Sequence, residues 1–338
     1  MARRRLVPVT RSTGLGPLPQ MVVETAGEHA LHRAFNKHGL GPAAAEQDDL
    51  YLPHTAMVGI FEHAAKHIGA RDFGLNVGRR MPYPSYGLWT KYVVTGATLI
   101  DALNRLCDSV RFQHTGAIVR LEREGTHVVL RHYPHSLAYP NTQHSDHLLY
   151  PLLYFLQLYL GSQWWPAWFE LCYPRDANAN EIERHFPSPI RFGTGRVGVA
   201  MPASCLTARR IIAQESVSLT DLEIEDPIQH FQEPLRSIIA LATLRLMEGK
   251  TDLDGTAQLA GVSTRTLQRS LNDEGISYRG LLDRVCERRA KQLLTQSNLT
   301  ITQIALALGY SEHANFTRAF TRWTGQSPLQ YRLRIRGR

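Results

Sequence analysis

Ala257-x-x-Ala260-Gly261-Val262-Ser263, followed by Leu267-x-Arg269-x-Leu271, recurs later as Ala305-x-x-Leu308-Gly309-Tyr310-Ser311, followed by Phe316-x-Arg318-x-Phe320. Each copy reads as a short helix, a tight turn and a second helix. Glycine supplies the positive φ of the turn, the small alanine lets the two helices approach, and the serine oxygen accepts from an orphan N–H of the second helix. The pattern is a helix-turn-helix, present twice. The copies differ by one residue in the step from serine to the first apolar anchor: Ser263 to Leu267, against Ser311 to Phe316.

Tyr278 to Gln296 lies between them, with Leu281, Leu282, Val285, Leu293 and Leu294 at helical spacing and no proline. At 1.5 Å per residue such a helix spans on the order of 30 Å, close to the roughly 34 Å between successive major grooves on one side of B-DNA. One chain would then set two recognition helices in adjacent grooves. In the first of these helices Leu267 and Leu271 face the core, which leaves Arg265, Gln268 and Arg269 at i, i+3 and i+4 on the other face. Arginine can bond guanine O6/N7 bidentately and glutamine can do the same to adenine N6/N7. In the second, Phe316 and Phe320 face inward and His313, Ala314, Asn315 and Arg318 line the exposed side. Arg318 is read either as a base contact or as a structural or phosphate-clamping side chain. The tail Arg332-Leu333-Arg334-Ile335-Arg336-Gly337-Arg338 either touches phosphates or frays.

Charge follows the same division. The 338 residues carry 38 Lys/Arg against 30 Asp/Glu, and from Phe231 onward the count is 16 against 9. A net +7 in that region is the footprint expected of a surface that displaces counterions from phosphates.

The segment from about Pro234 to Arg332 resembles the DNA-binding domain of AraC/XylS-family transcriptional regulators. Ile304-Ala305-x-x-Leu308-Gly309-Tyr310-Ser311-x(4)-Phe316-x-Arg318-x-Phe320-x(4)-Gly325-x-Ser327-Pro328-x-x-Tyr331-Arg332 is similar to that family's signature almost position for position. From roughly Leu52 to Leu206, Ile68-Gly69-x-x-Asp72-Phe73-Gly74-Leu75 and Thr98-Leu99-x-Asp101-Ala102-Leu103 resemble the effector-binding domain of one branch of the family. The resemblance implies groove contacts at Arg265, Gln268 and Arg269, activation of transcription with RNA polymerase as a partner, and a small-molecule effector that alters dimerisation or placement of the reader. Two residues depart from the pattern. Gly255 and Thr256 stand in the first helix where a helix former and an aliphatic residue are customary, and a mid-helix glycine costs about 1 kcal/mol. Cys286 stands in the linker helix at a customary arginine position, which puts coupling of the two units in question.

The first 230 residues mix periodicities. Thr55 to Ile68, Thr98 to Val110, Leu148 to Gly161 and Ala177 to His185 read as helices. Ala117 to Glu122, His127 to His132, Trp168 to Tyr173 and Val197 to Met201 read as strands, with Arg123-Glu124-Gly125-Thr126 as a hairpin link. The expected architecture is an α+β effector-binding and dimerisation domain over 21–213, behind a flexible arm at 1–20. An acidic linker at 214–232 joins it to an all-α domain with two helix-turn-helix units over 233–338. The many aromatic residues of the α+β domain, including Tyr83, Tyr86, Trp89, Phe112, Phe155 and Phe169, supply core and pocket material, with no more than a quarter expected to line a pocket.

Other chemistry is not encoded. Cys107, Cys172, Cys205 and Cys286 show no C-x-x-C pair and are read as reduced thiols. His132/His135 and His144/His147 are spaced i, i+3 without a clear third ligand, so they are read as surface or core histidines and no metal is expected. No Gly-x-Ser-x-Gly elbow, Walker loop or His-Glu-x-x-His pattern appears, so neither an enzyme nor a cofactor is expected. Leu148 to Leu160 is too short for the roughly 20 residues of a membrane span and is broken by Pro151. With Arg3-Arg4-Arg5 in place of a signal-peptide core, the expected location is the cytoplasm. The resulting reading is a homodimeric, effector-controlled regulator of double-stranded promoter or operator DNA; the alternative is a ligand-independent dimeric repressor or architectural DNA-binding protein.

Overall fold

Residues 7–41, 44, 50–134, 141–211, 217–225, 228 and 231–336 are described by a computed structural model. They form two units, Pro8–Gln229 and Met1–Val7 with His230–Arg338. The first is mixed α and β, the second entirely helical.

In the first unit β1 (Val9–Arg11) pairs antiparallel with β2 (Tyr51–Pro53), and α1 (Leu18–Ala26) and α2 (Glu28–Asn36) lie between them in the chain. The expected arm therefore does not extend to residue 20. Gly16 at φ +51° and Pro17 ahead of α1 turn the chain between ordered elements, and Val9 and Leu18 are fully buried. Arg3, Arg4 and Arg5 lie outside the described residues. Next come α3 (His54–Ile68), α4 (Phe73–Arg79), α5 (Leu88–Val93) and α6 (Leu99–Ser109), the last opened by a Thr98/Asp101 capping box.

The hairpin of β3 (Ile118–Glu124) and β4 (His127–Tyr133) turns at Gly125 and Thr126, as the sequence predicts. α7 (Thr142–Leu160) is longer than expected and carries Pro151 inside it. β5 (Phe169–Glu170), α8 (Asn180–Glu183), β6 (Ile190–Arg191) and β7 (Val197–Pro202) follow. The strands form one sheet of order β3-β4-β7-β5-β6, antiparallel except for β5 with β6. Trp168 to Tyr173 was expected as a strand and Ala177 to His185 as a helix; only Phe169–Glu170 and Asn180–Glu183 adopt those states.

Two features fix how the layers meet. Arg131 on β4 is buried and donates through Nε and Nη2 to both oxygens of buried Glu170 on β5, at 2.9 and 2.7 Å, and through Nη1 to Glu122 on β3 at 2.8 Å. One guanidinium thus ties three strands with its charge fully met. On the helical side, Gly74 and Gly78 let α4 lie against the backbone of α7. A Cβ at Gly74 would sit 2.0 Å from the Gln143 carbonyl oxygen, and one at Gly78 would sit 2.2 Å from that of His147. Gln143 answers by accepting the Gly74 amide at 2.8 Å.

The acidic stretch expected as linker contains α9 (Leu219–Glu225), whose Leu222 is buried in the core of the first unit. Glu215, Asp226 and Pro227 lie outside the described residues.

The second unit consists of α10 (Leu235–Met247), α11 (Leu253–Leu259), α12 (Thr264–Asp273), α13 (Tyr278–Gln296), α14 (Ile301–Ala307), α15 (His313–Thr324) and α16 (Pro328–Arg336). α13 packs against α10, α14, α15 and α16 and is the spine of the unit. The turns joining α11 to α12 and α14 to α15 contain Gly261 at φ +67° and Gly309 at φ +78°, values that only glycine adopts without strain. Among the described residues no helix is long and apolar enough to cross a membrane.

Replacing Gly78 with alanine is expected to destabilise the first unit by about 1–3 kcal/mol, because the clash is with backbone rather than with a movable side chain. Urea unfolding of the G78A chain measures this; an unchanged midpoint would mean that α4 and α7 are not packed this closely.

Candidate nucleic-acid interface

Each helix-turn-helix presents its second helix, but the two are built differently. On α12, Leu267 and Leu271 are buried, 0% and 1% exposed, and hold one face inward. Arg265, Gln268 and Arg269 stand exposed on the other face, and among the described residues no hydrogen bond or ion pair engages their side chains. The helix opens as expected: Ser263 Oγ accepts the Thr266 amide at 3.2 Å.

On α15, Phe316 and Phe320 are fully buried, ringed by Tyr310, Trp323 and Tyr331. His313 and Ala314 are exposed, Asn315 is half-buried, and exposed Arg318 donates from Nη2 to Asn315 Oδ1 at 2.5 Å. Asn315 and Arg318 thus form one polar unit. The expected serine cap is corrected here. The extra residue before Phe316 puts Glu312 at the N-cap, with no side-chain bond to the helix, and leaves exposed Ser311 one position upstream.

The two departures acquire physical roles. Gly255 is not mid-helix: Asp252 caps α11 by accepting the Gly255 amide at 2.6 Å, which puts the glycine in the first turn. A Cβ there would lie 2.1 Å from the Arg245 guanidinium, which is paired with Asp252. Thr256, fully buried, places its hydroxyl 2.7 Å from the Tyr278 hydroxyl and so ties α11 to α13. Cys286 is buried, and burial pushes its thiol up to about 12, so it serves as a neutral apolar filler. A polar tie between α13 and α15 exists one turn earlier, where Arg322 Nη2 meets both Asp283 oxygens at 3.1 Å. Nor is the tail frayed through Arg336. α16 runs to that residue, whose guanidinium donates to the Ser297 carbonyl at the end of α13 and to Asn298 Oδ1 at 3.3 Å. Gly337 and Arg338 lie outside the described residues.

The first unit contains a partly open cavity of about 100 Å³ among β1, α3, α6, β4, α7 and the turn at Tyr83–Tyr86. Tyr83, Tyr86 and Trp89 line it, with Met57, Leu106, Val119, Leu130, Leu148, Pro151 and Leu152. So do five histidines, His54, His114, His132, His144 and His147. Their rings pack on one another, His54 on His114 at 4.1 Å and on His144 at 5.2 Å, and burial pulls His132 down to about 4 and His147 to about 3. Both are therefore neutral imidazoles at neutral pH. Of the two spaced pairs read from the sequence, His144/His147 comes together on this wall, whereas His135 lies outside the described residues. Among the described residues no group of three His, Cys, Asp or Glu side chains is arranged to hold a metal ion. His54 and His114 carried no sequence signal; only assembly of distant segments brings them in.

The chain matches the arabinose-binding domain of AraC transcription regulators over residues 29–209 and a helix-turn-helix domain over 256–334. It is 31% identical over 161 residues to the HTH-type transcriptional regulator VqsM of Pseudomonas aeruginosa, covering 46% of this chain and 50% of that one. It is likewise 31% identical over 163 residues to the ornithine utilization regulator of the same organism, covering 47% and 48%. The chain thus spans about half the length of these curated relatives. The solved structure of the transcriptional regulator CdpR from Pseudomonas aeruginosa aligns over 90% of this chain and 96% of its own, at 23% identity and a TM-score of 0.42.

The unequal caps give a direct check. Ser263→Ala removes a side-chain cap and is expected to cost about 1 kcal/mol, whereas Ser311→Ala removes none and is expected to stay within about 0.5 kcal/mol. Hydrogen exchange at the first amides of α12 and α15 reports each locally; equal effects would mean that the two helices start alike.

Proposed function

The chain belongs to the AraC family of transcription regulators, and on that premise we propose that it reads double-stranded operator DNA in two adjacent major grooves under the control of a small molecule held in its first unit. The observation that carries the reading is the trio Arg265, Gln268 and Arg269, exposed and unengaged on a helix whose opposite face is locked by Leu267 and Leu271. Unpaired guanidinium groups on a rigid helix can form bidentate bonds to guanine without first breaking a protein ion pair. On α15 we assign His313, Asn315 and Arg318 to the second groove, with the Asn315–Arg318 bond orienting both side chains before DNA arrives. α13, 19 residues and so roughly 28 Å long, holds the two readers about one turn of DNA apart. The net charge of +7 from Phe231 onward supports a phosphate-facing surface.

Family membership supports the finer parts of the proposal without establishing them. They are control by an effector in the histidine-lined cavity, homodimerisation through the first unit, contact with RNA polymerase, activation of transcription and work in the cytoplasm.

Two substitutions separate base reading from phosphate clamping. Arg265→Ala is expected to cost about 1–3 kcal/mol in operator binding and to relax base preference in one half of the site. Asn315→Ala is expected to relax preference roughly 10 base pairs away, in the other half. Selection on randomised operators reads both shifts. If both variants relax the same positions, or weaken binding uniformly on every sequence, the contacts are phosphate clamps and the two-groove reading fails.

A further inference from the structure

The cavity of the first unit has a chemistry of its own. Of the twenty side chains and glycines that line it, none is Lys, Arg, Asp or Glu, and its surface is contributed mainly by aliphatic and aromatic carbon. Half of these residues carry a polar group, and several of those groups are spent within the protein. The Trp89 indole donates to Ser109 Oγ at 2.8 Å, the Gln113 side-chain amide to Thr13 Oγ1 at 3.2 Å, and the Thr10 hydroxyl to the Gln113 carbonyl at 3.3 Å. Nε2 of His147 lies 3.2 Å from the Tyr86 hydroxyl.

Three buried groups are left over: the Tyr83 hydroxyl, on a residue 4% exposed, Nδ1 of His147, on a residue 1% exposed, and Nδ1 of His132 have no protein partner among the described residues. Buried polar atoms are nearly always satisfied. Tyr83 is also held as a phenol, since burial raises its pKa well above the ordinary value. The wall therefore offers one hydroxyl and two imidazole nitrogens in a chamber lined mainly by carbon and free of Lys, Arg, Asp and Glu.

Resting on the reading that this unit binds an effector, we infer that the ligand is a small uncharged alcohol of phenol size, with an apolar body and one hydroxyl taken by Tyr83 and His147. Charge decides against acids. A carboxylate or phosphate would enter with no cation to meet it, and burying an unpaired charge is far costlier than burying a hydroxyl. Polyols are disfavoured for a related reason: a sugar would bring more hydroxyls than the three free buried groups can answer. Volume sets the scale, because about 100 Å³ suits a single ring or a short chain.

Equilibrium dialysis of the full chain against phenol, toluene, benzoate and L-arabinose tests the assignment. Phenol is expected to bind one per chain, more tightly than toluene and at least 10-fold more tightly than benzoate or arabinose. Tyr83→Phe removes a hydroxyl that no protein group uses, so the fold is expected to be unaffected. In that variant phenol is expected to lose about 10-fold in affinity while toluene is unchanged. Benzoate or arabinose binding as tightly as phenol, equal losses for phenol and toluene in Tyr83→Phe, or no binding by phenol would each overturn the inference. The effector reading has its own arm: Leu148→Trp fills the cavity, and if promoter output in cells then matches that of the unmodified chain in every growth condition, the cavity has no regulatory role whatever it binds.

Discussion

Both helix-turn-helix units depend on one buried stripe. Leu281, Val285, Ala290 and Leu294 are 0–3% exposed along α13, and Cys286 completes the row. α10, α14, α15 and α16 all pack on this helix. Because protein interiors are close-packed, a spine of this kind fixes what is attached to it to within small displacements. Polar ties then set rotation about the spine. Thr256 meets Tyr278 near its beginning, Asp283 meets Arg322 one turn further on, and Arg336 closes on the Ser297 carbonyl at its end. The exposed pair contributes little energy by itself, but it is bidentate at the carboxylate and joins a spine already locked by burial. In the proposed reading the spacing of the two DNA-facing helices is therefore a property of α13 and not of the DNA.

The repeat was legible in the sequence because its requirements are local. A positive-φ glycine, a small residue at the helix contact and apolar pairs four apart leave few alternatives, and Gly261, Gly309, Leu267/Leu271 and Phe316/Phe320 all stand where that logic puts them. Local reasoning failed where one residue of offset or one distant side chain decided the outcome. Ser311 resembles Ser263, yet Glu312 intervenes and becomes the cap position. Gly255 looks like a weak point until Arg245, from the preceding helix, is seen to fill the space where a Cβ would go. The residues after Val7 look like an arm because Gly14, Gly16 and Pro17 cluster there. Their partners in β2 lie some forty positions away, beyond the reach of any window on the sequence.

The cavity was the least legible part, for the same physical reason. His54 begins α3, His114 follows α6, His132 lies on β4, and His144 and His147 lie on α7. Spacing exposed the last two, but nothing in the sequence marks the others as neighbours. What brings α7 into place is the glycine pair on α4, whose missing side chains admit the backbone of Gln143 and His147. The close approach of two helices thereby determines which polar atoms face the ligand space. Burial lowers the pKa of His132, His144 and His147, which explains how these three imidazoles share a small volume without mutual repulsion.

The most direct measurement of the central claim varies the operator rather than the protein. Once a binding site has been selected, affinity is measured on versions with 1, 2 and 5 base pairs inserted between its two halves. With α15 packed on α13, and α12 held through α11, which Thr256 ties to the same helix, each insertion rotates the second half away by about a tenth of a turn per base pair. The account expects affinity to fall progressively and the 5-base-pair site to bind no better than one carrying a single half. Undiminished binding across the series would contradict it.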